Sequence, residues 1–250
     1  MRWVLACIGA AVAVACSVDA VQLTGRLCPC VAGWVCDSTN HCVLPDAALP
    51  DAQGSDGGTL IFDEEFDGGT LDPNKWVTAG NGNWSIQGGF GEQTSGGASE
   101  ALIYAKSFTS ATDYHIVARM HSTGPFDAGN DLAPEVCFRT DPSVLVTSAS
   151  VPETFHCNVD LLTDDLLLQH TDQSPGTFNQ TAFAPPSSAG VWFVIDVVAK
   201  GSSVTCTATV DGVGQVATVS FGALPRLTGS FGLKTYDTAA EFAYFRVYTP

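Results

Sequence analysis

From about residue 59 to the C-terminus, apolar and polar residues alternate in short runs, each closed by a cluster of Gly, Pro, Asn or Asp. Period-two alternation puts successive side chains on opposite faces of a strand, and no stretch sustains the 3.6-residue period of an amphipathic helix. The runs predict strands over 60–66, 100–106, 114–122, 133–140, 154–161, 191–199, 203–210, 215–221, 229–235 and 239–248. In the stretch from Val191 to Val197 both alternating sets are largely apolar, which predicts a central strand covered on both faces. Asp211-Gly212 lies between two alternating runs and predicts a hairpin, because a tight turn needs positive φ there. Many short strands with regular turn signals predict one all-β sandwich over residues 59–250.

The N-terminus follows other rules. Arg2 precedes an uncharged apolar stretch from Trp3 to Ala15 that ends in small residues, which predicts a secretory signal peptide over residues 1–15. The stretch is shorter than the roughly 20 residues a membrane-spanning helix needs, and no later stretch is both long and uncharged enough to span a bilayer. Ala13-Val14-Ala15-Cys16 resembles a bacterial lipobox, which implies a diacylated Cys16 as the first residue of the mature chain. Ser17 then implies an outer-membrane or cell-surface address. The alternative is simple cleavage after Ala15 and a secreted soluble protein.

Cys28, Cys30, Cys36 and Cys42 follow within a Cys-rich segment, residues 16–43. An even count in an exported segment predicts two disulfides, and Cys28 and Cys30 are too close to pair with each other, so two connectivities stay open. A zinc site is the alternative, but the spacing is not the paired C-x2-C of zinc knuckles. The stretch C-P-C-V-A-G-W-V-C resembles the second half of an EGF-like module. Residues 44–58, with L-P-D-A twice and then a Gly-rich tail, predict a linker.

With 45% hydrophobic and 14% charged residues, the chain has the apolar material for a core, which excludes disorder for its bulk. Ten basic against 26 acidic residues give a net charge of −16. Such a surface repels polyanions, which argues against nucleic acid as a partner and leaves the lipid anchor as the membrane contact.

A family resemblance rests on the order of several motifs: F-D-E-E-F-D at 62–67, L-D-P-N-K-W at 71–76, N-W-S-I-Q-G-G at 83–89, V-C-F-R at 136–139, V-W-F-V-I-D-V-V at 191–198 and T-C-T-A-T-V-D-G at 205–212. Closing G-S-F-G-L-K-T and F-A-Y-F-R-V-Y runs complete it. Together they resemble the concanavalin A-like, laminin G-like jelly rolls of bacterial exported proteins, across nearly all of residues 60–249. The resemblance implies two curved antiparallel sheets, with sugars, where bound, on the concave face or its rim. It implies fold more than function, because lectins, glycanases and adhesins share this sandwich.

Glucanases of this fold carry an E-x-D-x-x-E run on one strand. Here Glu65-Phe66-Asp67 has Thr70 where the second Glu falls, and the strand around His156 offers Asn158 in place of a titratable acid. No nucleophile elbow, Walker loop or histidine pair with metal-ligand spacing is present. Sugar binding instead needs aromatic faces and polar groups in fork geometry. Arg139 leads the ligand-binding candidates, with Tyr104, Arg119, His156, Asn158 and Gln169 expected to share its surface. Trp76, Trp84 and Trp192 are expected in the core. Glu64, Glu65 and Asp72 join Asp63 and Asp67 at the domain's acidic opening; with Glu241 from the last strand, Asp63 and Asp67 form a candidate structural calcium site, and no other cofactor is implied. Of the three sandwich cysteines, Cys137 and Cys157 are expected to pair, their strands being near neighbours in sequence, with Cys206 left open as a partner.

The expectation from sequence is therefore an envelope-anchored, non-catalytic lipoprotein, monomeric, binding a carbohydrate or other surface ligand. The alternatives are a glycoside hydrolase of the same fold and a structural or adhesion module acting through protein contacts.

Overall fold

The computed structural model describes residues 35–36, 42–43, 58–95, 100–108, 110–124, 133–146, 151–161, 163–170, 177–183, 191–210 and 216–249. The chain divides into two compact units, Met1–Ala52 and Gln53–Pro250. In the first, strands β1 (Val35–Cys36) and β2 (Cys42–Val43) pair antiparallel, with Cys36 opposite Cys42 in register. The signal peptide, Cys16, Cys28, Cys30 and the sulfur pairing expected among the first cysteines lie outside the described residues.

The second unit is all β among the described residues. Its strands are β3 (Leu60–Glu64), β4 (Trp76–Gly80), β5 (Trp84–Gln87), β6 (Phe90–Gln93), β7 (Glu100–Ala105), β8 (Tyr114–Gly124), β9 (Ala133–Val146) and β10 (Val151–Asp160). They continue as β11 (Asp165–His170), β12 (Thr177–Ala182), β13 (Phe193–Lys200), β14 (Ser203–Val210), β15 (Val216–Phe221), β16 (Ser230–Tyr236) and β17 (Ala239–Tyr248). One sheet has seven strands in the order β12-β11-β10-β9-β16-β7-β4. The other has eight, in the order β15-β14-β13-β8-β17-β6-β5, with β3 also pairing β17. All pairings are antiparallel. The Asp211-Gly212 turn between β14 and β15 lies outside the described residues.

Alternation builds the core between the sheets. Val136, Phe138, Phe155, Val159 and Leu233 from the seven-stranded sheet meet Ile116, Met120, Phe193, Ile195 and Phe242 from the eight-stranded one, each with 1% exposure or less. On β13 one side chain set is buried and the other, Val194, Asp196 and Val198, is half-buried, so the expected double coverage is realised on one face in full.

The disulfide joins Cys157 to Cys206, with Cα atoms 6.4 Å apart, and Cys137 is a free buried thiol. This corrects the expected Cys137–Cys157 pair, and register supplies the reason. On β9 and β10 Cys157 lies opposite Val136 while Cys137 lies opposite His156. The two cysteines are one residue out of step, so their side chains leave the same sheet on opposite faces. Cys157 points inward and meets Cys206 from the facing sheet.

A β-bulge on β9 governs a second side chain. Between Cys137 and Thr140 the strand carries two residues, Phe138 and Arg139, where β16 carries only Phe231, and Arg139 takes positive φ (52°). Two residues opposite one re-aim the strand beyond that point. Close contact supports it: a Cβ on Gly229, itself at φ 150°, would lie 2.3 Å from the Arg139 carbonyl carbon.

Candidate functional site

The face of the seven-stranded sheet turned away from the core carries an unusual load of polar groups. Two cross-strand rows form it. Leu102, Lys234, Glu135, Asn158 and Leu167 follow one another across β7, β16, β9, β10 and β11, and beside them run Tyr104, Gly232, Cys137, His156 and Gln169. Glu100 and Asp160 extend the face on β7 and β10. At the β7 end the face is apolar, where Leu102, Tyr104 and Cys137 pack with Val77 and Ala79. Gly232 is required here, since a Cβ would lie 2.0 Å from the Ile103 carbonyl oxygen of the neighbouring strand.

The polar members are buried: Glu135 and Asn158 are 1% exposed, Lys234 2% and His156 5%. The Lys234 ammonium donates to Glu135 Oε2 at 2.8 Å and lies 3.6 Å from Glu100 Oε1. Burial alone would favour the neutral amine, but the charges of Glu135 and Glu100 outweigh it and hold Lys234 above the ordinary lysine range. His156 Nε2 sits 3.2 Å from Gln169 Oε1 and 3.5 Å from Glu135 Oε2. Burial and the Lys234 charge hold the imidazole well below the ordinary histidine value, so it is neutral at pH 7. Burial likewise pushes the Cys137 thiol well up, which leaves it a thiol and not a nucleophile.

Tyr104, His156, Asn158 and Gln169 are thus brought together on one face. Arg139 and Arg119 are not. Without the bulge, alternation would set Arg139 beside Glu135 and Cys137; with it, the guanidinium turns into the end of the sandwich, fully buried. There it donates to the carbonyls of Arg226 (2.8 Å) and Gly201, while its backbone N–H donates to the Tyr114 hydroxyl (2.8 Å). Arg139 is a clamp on two loops, held by their backbone carbonyls, and not a ligand-binding group on the polar face.

Arg119 lies on the outward face of the eight-stranded sheet, its guanidinium 4.4 Å from the centre of the Trp192 ring. His121 and Phe90 pack on the same ring at 4.1 and 5.4 Å. Trp192 therefore belongs to this outer cluster and not to the core, whereas Trp76 is buried and Trp84 packs against the core at Phe242.

The proposed calcium ligands do not converge. Asp63 lies opposite Arg246 on β17, where Arg246 pairs with Glu65 (2.6 Å) and Asp63 (3.6 Å). Glu241 sits five positions away on the same strand, roughly 15 Å at the rise of a strand, and is bonded to His121 Nε2 at 2.8 Å. Calcium ligands must all lie about 2.5 Å from one point, so Asp63, Asp67 and Glu241 do not fit the ion. Glu64 accepts from the Trp76 indole at 2.9 Å and from Lys75 at 3.4 Å, and so braces the core. Among the described residues no group of three His, Cys, Asp or Glu could hold a metal.

Sequence reasoning missed Lys234, Glu135 and Glu100. A signal was present. Each sits in an otherwise apolar or small strand, and a charge that cannot reach water from a central strand demands a partner on the neighbouring one.

No protein-family model matches the sequence, and no curated protein matches it. Solved structures do match the fold. The VIP36 exoplasmic/lumenal domain in its Ca2+/Man3GlcNAc-bound form aligns with TM-score 0.56 at 10% identity, over 72% of this chain and 85% of that one. The Lotus tetragonolobus seed lectin aligns with TM-score 0.55 at 10% identity, over 74% of this chain and 96% of that one. A Bacillus subtilis protein of unknown function with a galectin-like fold gives TM-score 0.58 at 11% identity, over 77% and 96%. At such identities the likeness concerns the fold alone, and that fold is a concanavalin A-like jelly-roll sandwich.

Proposed function

We propose that this chain is an envelope-anchored, non-catalytic carbohydrate-binding lipoprotein whose ligand occupies the outward face of the seven-stranded sheet. One observation carries the reading: on a surface that faces away from the core, buried polar atoms of Asn158, His156 and Glu100 lack any hydrogen-bond partner. Native proteins satisfy almost all such atoms, because each orphan costs about 1–3 kcal/mol. A ligand rich in hydroxyls would relieve that cost, and the apolar end at Leu102 and Tyr104 offers a surface for the C–H face of a sugar ring. The sandwich is also that of a domain bound to Man3GlcNAc and of a seed lectin.

Hydrolysis is not part of the proposal. Three carboxylates, Glu135, Glu100 and Asp160, share this face, and Lys234 stands between the first two and pairs with both. A glycosidase needs its acid and its nucleophile or base facing one another across the bond to be cut.

For the anchor, the leader and Cys16 support diacylation, and the Pro- and Gly-containing stretch at 44–58 supports a tether that presents the sandwich outward. The test is a glycan array of plant and bacterial polysaccharides probed with the full chain. Binding is expected, lost at least tenfold in Asn158→Leu and kept in Arg119→Ala on the other sheet. Silence across the array, or loss only in Arg119→Ala, overturns the reading.

A further inference from the structure

Lysine, glutamate and asparagine stand side by side in one buried row of the polar face. Lys234 on β16 is the cross-strand partner of Glu135 on β9, and Glu135 is the partner of Asn158 on β10. All three are 2% exposed or less. The Lys234 ammonium donates to Glu135 Oε2 at 2.8 Å, while Asn158 Oδ1 is buried without a hydrogen-bond partner. An amine, a proton carrier and a carboxamide are the three parts of an amide exchange, and here they are immediate neighbours.

Reach permits the reaction. Strands in a sheet lie about 4.8 Å apart, so two spacings separate the Lys234 and Asn158 Cα atoms by about 10 Å. An extended lysine places its nitrogen about 6 Å from its Cα and an asparagine its carboxamide carbon about 2.5 Å from its own, which leaves roughly one C–N bond length. The sheet also curls, for Cα atoms of β10 come within 8 Å of Cα atoms of β7, three strands along. The curl encloses the polar face, because the other face packs on the eight-stranded sheet, and it shortens the span further.

We propose that Lys234 and Asn158 join in an intramolecular isopeptide bond, with Glu135 as the proton carrier. In the resting pair the proton belongs to Lys234, stabilised there by Glu135 and Glu100. Its passage along the 2.8 Å bond gives an amine and an acid and removes both charges, the form that burial favours. A reaction that occurs once per chain and is not reversed proceeds through such a minor population. Nζ then attacks Asn158 Cγ while Glu135 gives its proton to Oδ1. As the tetrahedral carbon collapses, the Cγ–Nδ2 bond breaks, Nδ2 leaves as ammonia with the proton that Nζ sheds, and the Oδ1 proton returns to Glu135. The products are a secondary amide, one ammonia and a neutral Glu135, and nothing is oxidised or reduced. Oδ1 stays a carbonyl acceptor, so this bond and the glycan reading stand or fall separately.

The experiment is tryptic peptide mapping of the full chain, reduced and denatured, by mass spectrometry. Trypsin does not cut beside an acylated lysine, so fragment 227–246 is expected uncut and joined to fragment 140–200, the pair lying about 17 Da, one ammonia, below the two sequences together. Asn158→Ala and Glu135→Gln should each release fragments 227–234 and 140–200 separately. The wild-type map decides by itself should either variant fold poorly. Free wild-type fragments at their sequence masses overturn the proposal, as does a gain of about 1 Da at Asn158, which marks water and not Lys234 as the nucleophile. A cross-link that persists in Glu135→Gln overturns Glu135 as the proton carrier. Asn158→Ala keeps the ion pair and lacks the bond, and so is the reference against which variants of Lys234 and Glu135 report the pair alone.

Discussion

Lys234→Met removes the one cation from the centre of the polar face while preserving length and most of the volume. Lys234 and Glu135 are 2% and 1% exposed and bonded at 2.8 Å, so the substitution leaves a buried carboxylate without its nearest counter-charge. Breaking a buried pair from one side costs about 3–5 kcal/mol, which for a domain of this size corresponds to a fall in Tm of about 6–20 °C. Glu135→Gln should be milder, because Glu100 remains 3.6 Å from the ammonium as a second counter-charge. The double variant Lys234→Met, Glu135→Leu should recover most of the loss, since apolar replacement of a whole buried pair is often neutral or better. Urea and thermal denaturation of the full chain, followed by tryptophan fluorescence and circular dichroism, would measure all three. A loss below about 1 kcal/mol for Lys234→Met, the range of exposed ion pairs, would refute the buried-pair reasoning.

Peptide mapping without reductant should link Cys157 to Cys206 and find Cys137 alkylated only after unfolding; Cys157→Ala should cost about 4 kcal/mol by the closed-loop entropy of a 49-residue separation. His156, held low by burial and by Lys234, refuses a proton that the unfolded chain accepts near pH 6.5, so stability is full above about that pH and falls as pH drops toward the folded value. His156→Gln should flatten this acid limb between pH 7 and pH 5, and an unchanged slope would contradict the assignment. Gly229→Ala, which would drive a Cβ into the Arg139 backbone, should destabilise by about 2 kcal/mol or more. Labelling with a radioactive fatty acid in a bacterial host should vanish in Cys16→Ser, and label persisting there would defeat the lipid anchor.

What was legible in the sequence follows the strength of alternation. The runs that became β7, β8, β10, β13, β14, β16 and β17 alternate clearly, and their pairing yields the expected sandwich. The strands not predicted lack that signal. Asp165–His170 holds three consecutive leucines, and Trp76–Gly80 and Phe90–Gln93 are short and glycine-bearing. The polar face was half legible. Tyr104, His156, Asn158 and Gln169 share it because alternation within β7, β10 and β11 carries through the register. Arg139 left it because one extra residue on β9 cancels alternation at that point, and a bulge is a property of paired strands that a single strand does not announce. Cys206 as the partner of Cys157 was likewise a matter of which sheets face each other, settled by packing across the sandwich.

The most direct test of the account is a crystal structure of the protein soaked with the oligosaccharide that binds on the array. Density for the sugar is predicted on the outward face of the seven-stranded sheet, with a hydroxyl within about 3.2 Å of Asn158 Oδ1 or Glu100 Oε2, at ordinary hydrogen-bond length. Sugar seated on the other sheet beside Trp192 and Arg119, or at the loop end around Arg139, with Asn158 and His156 still unpartnered, would contradict it.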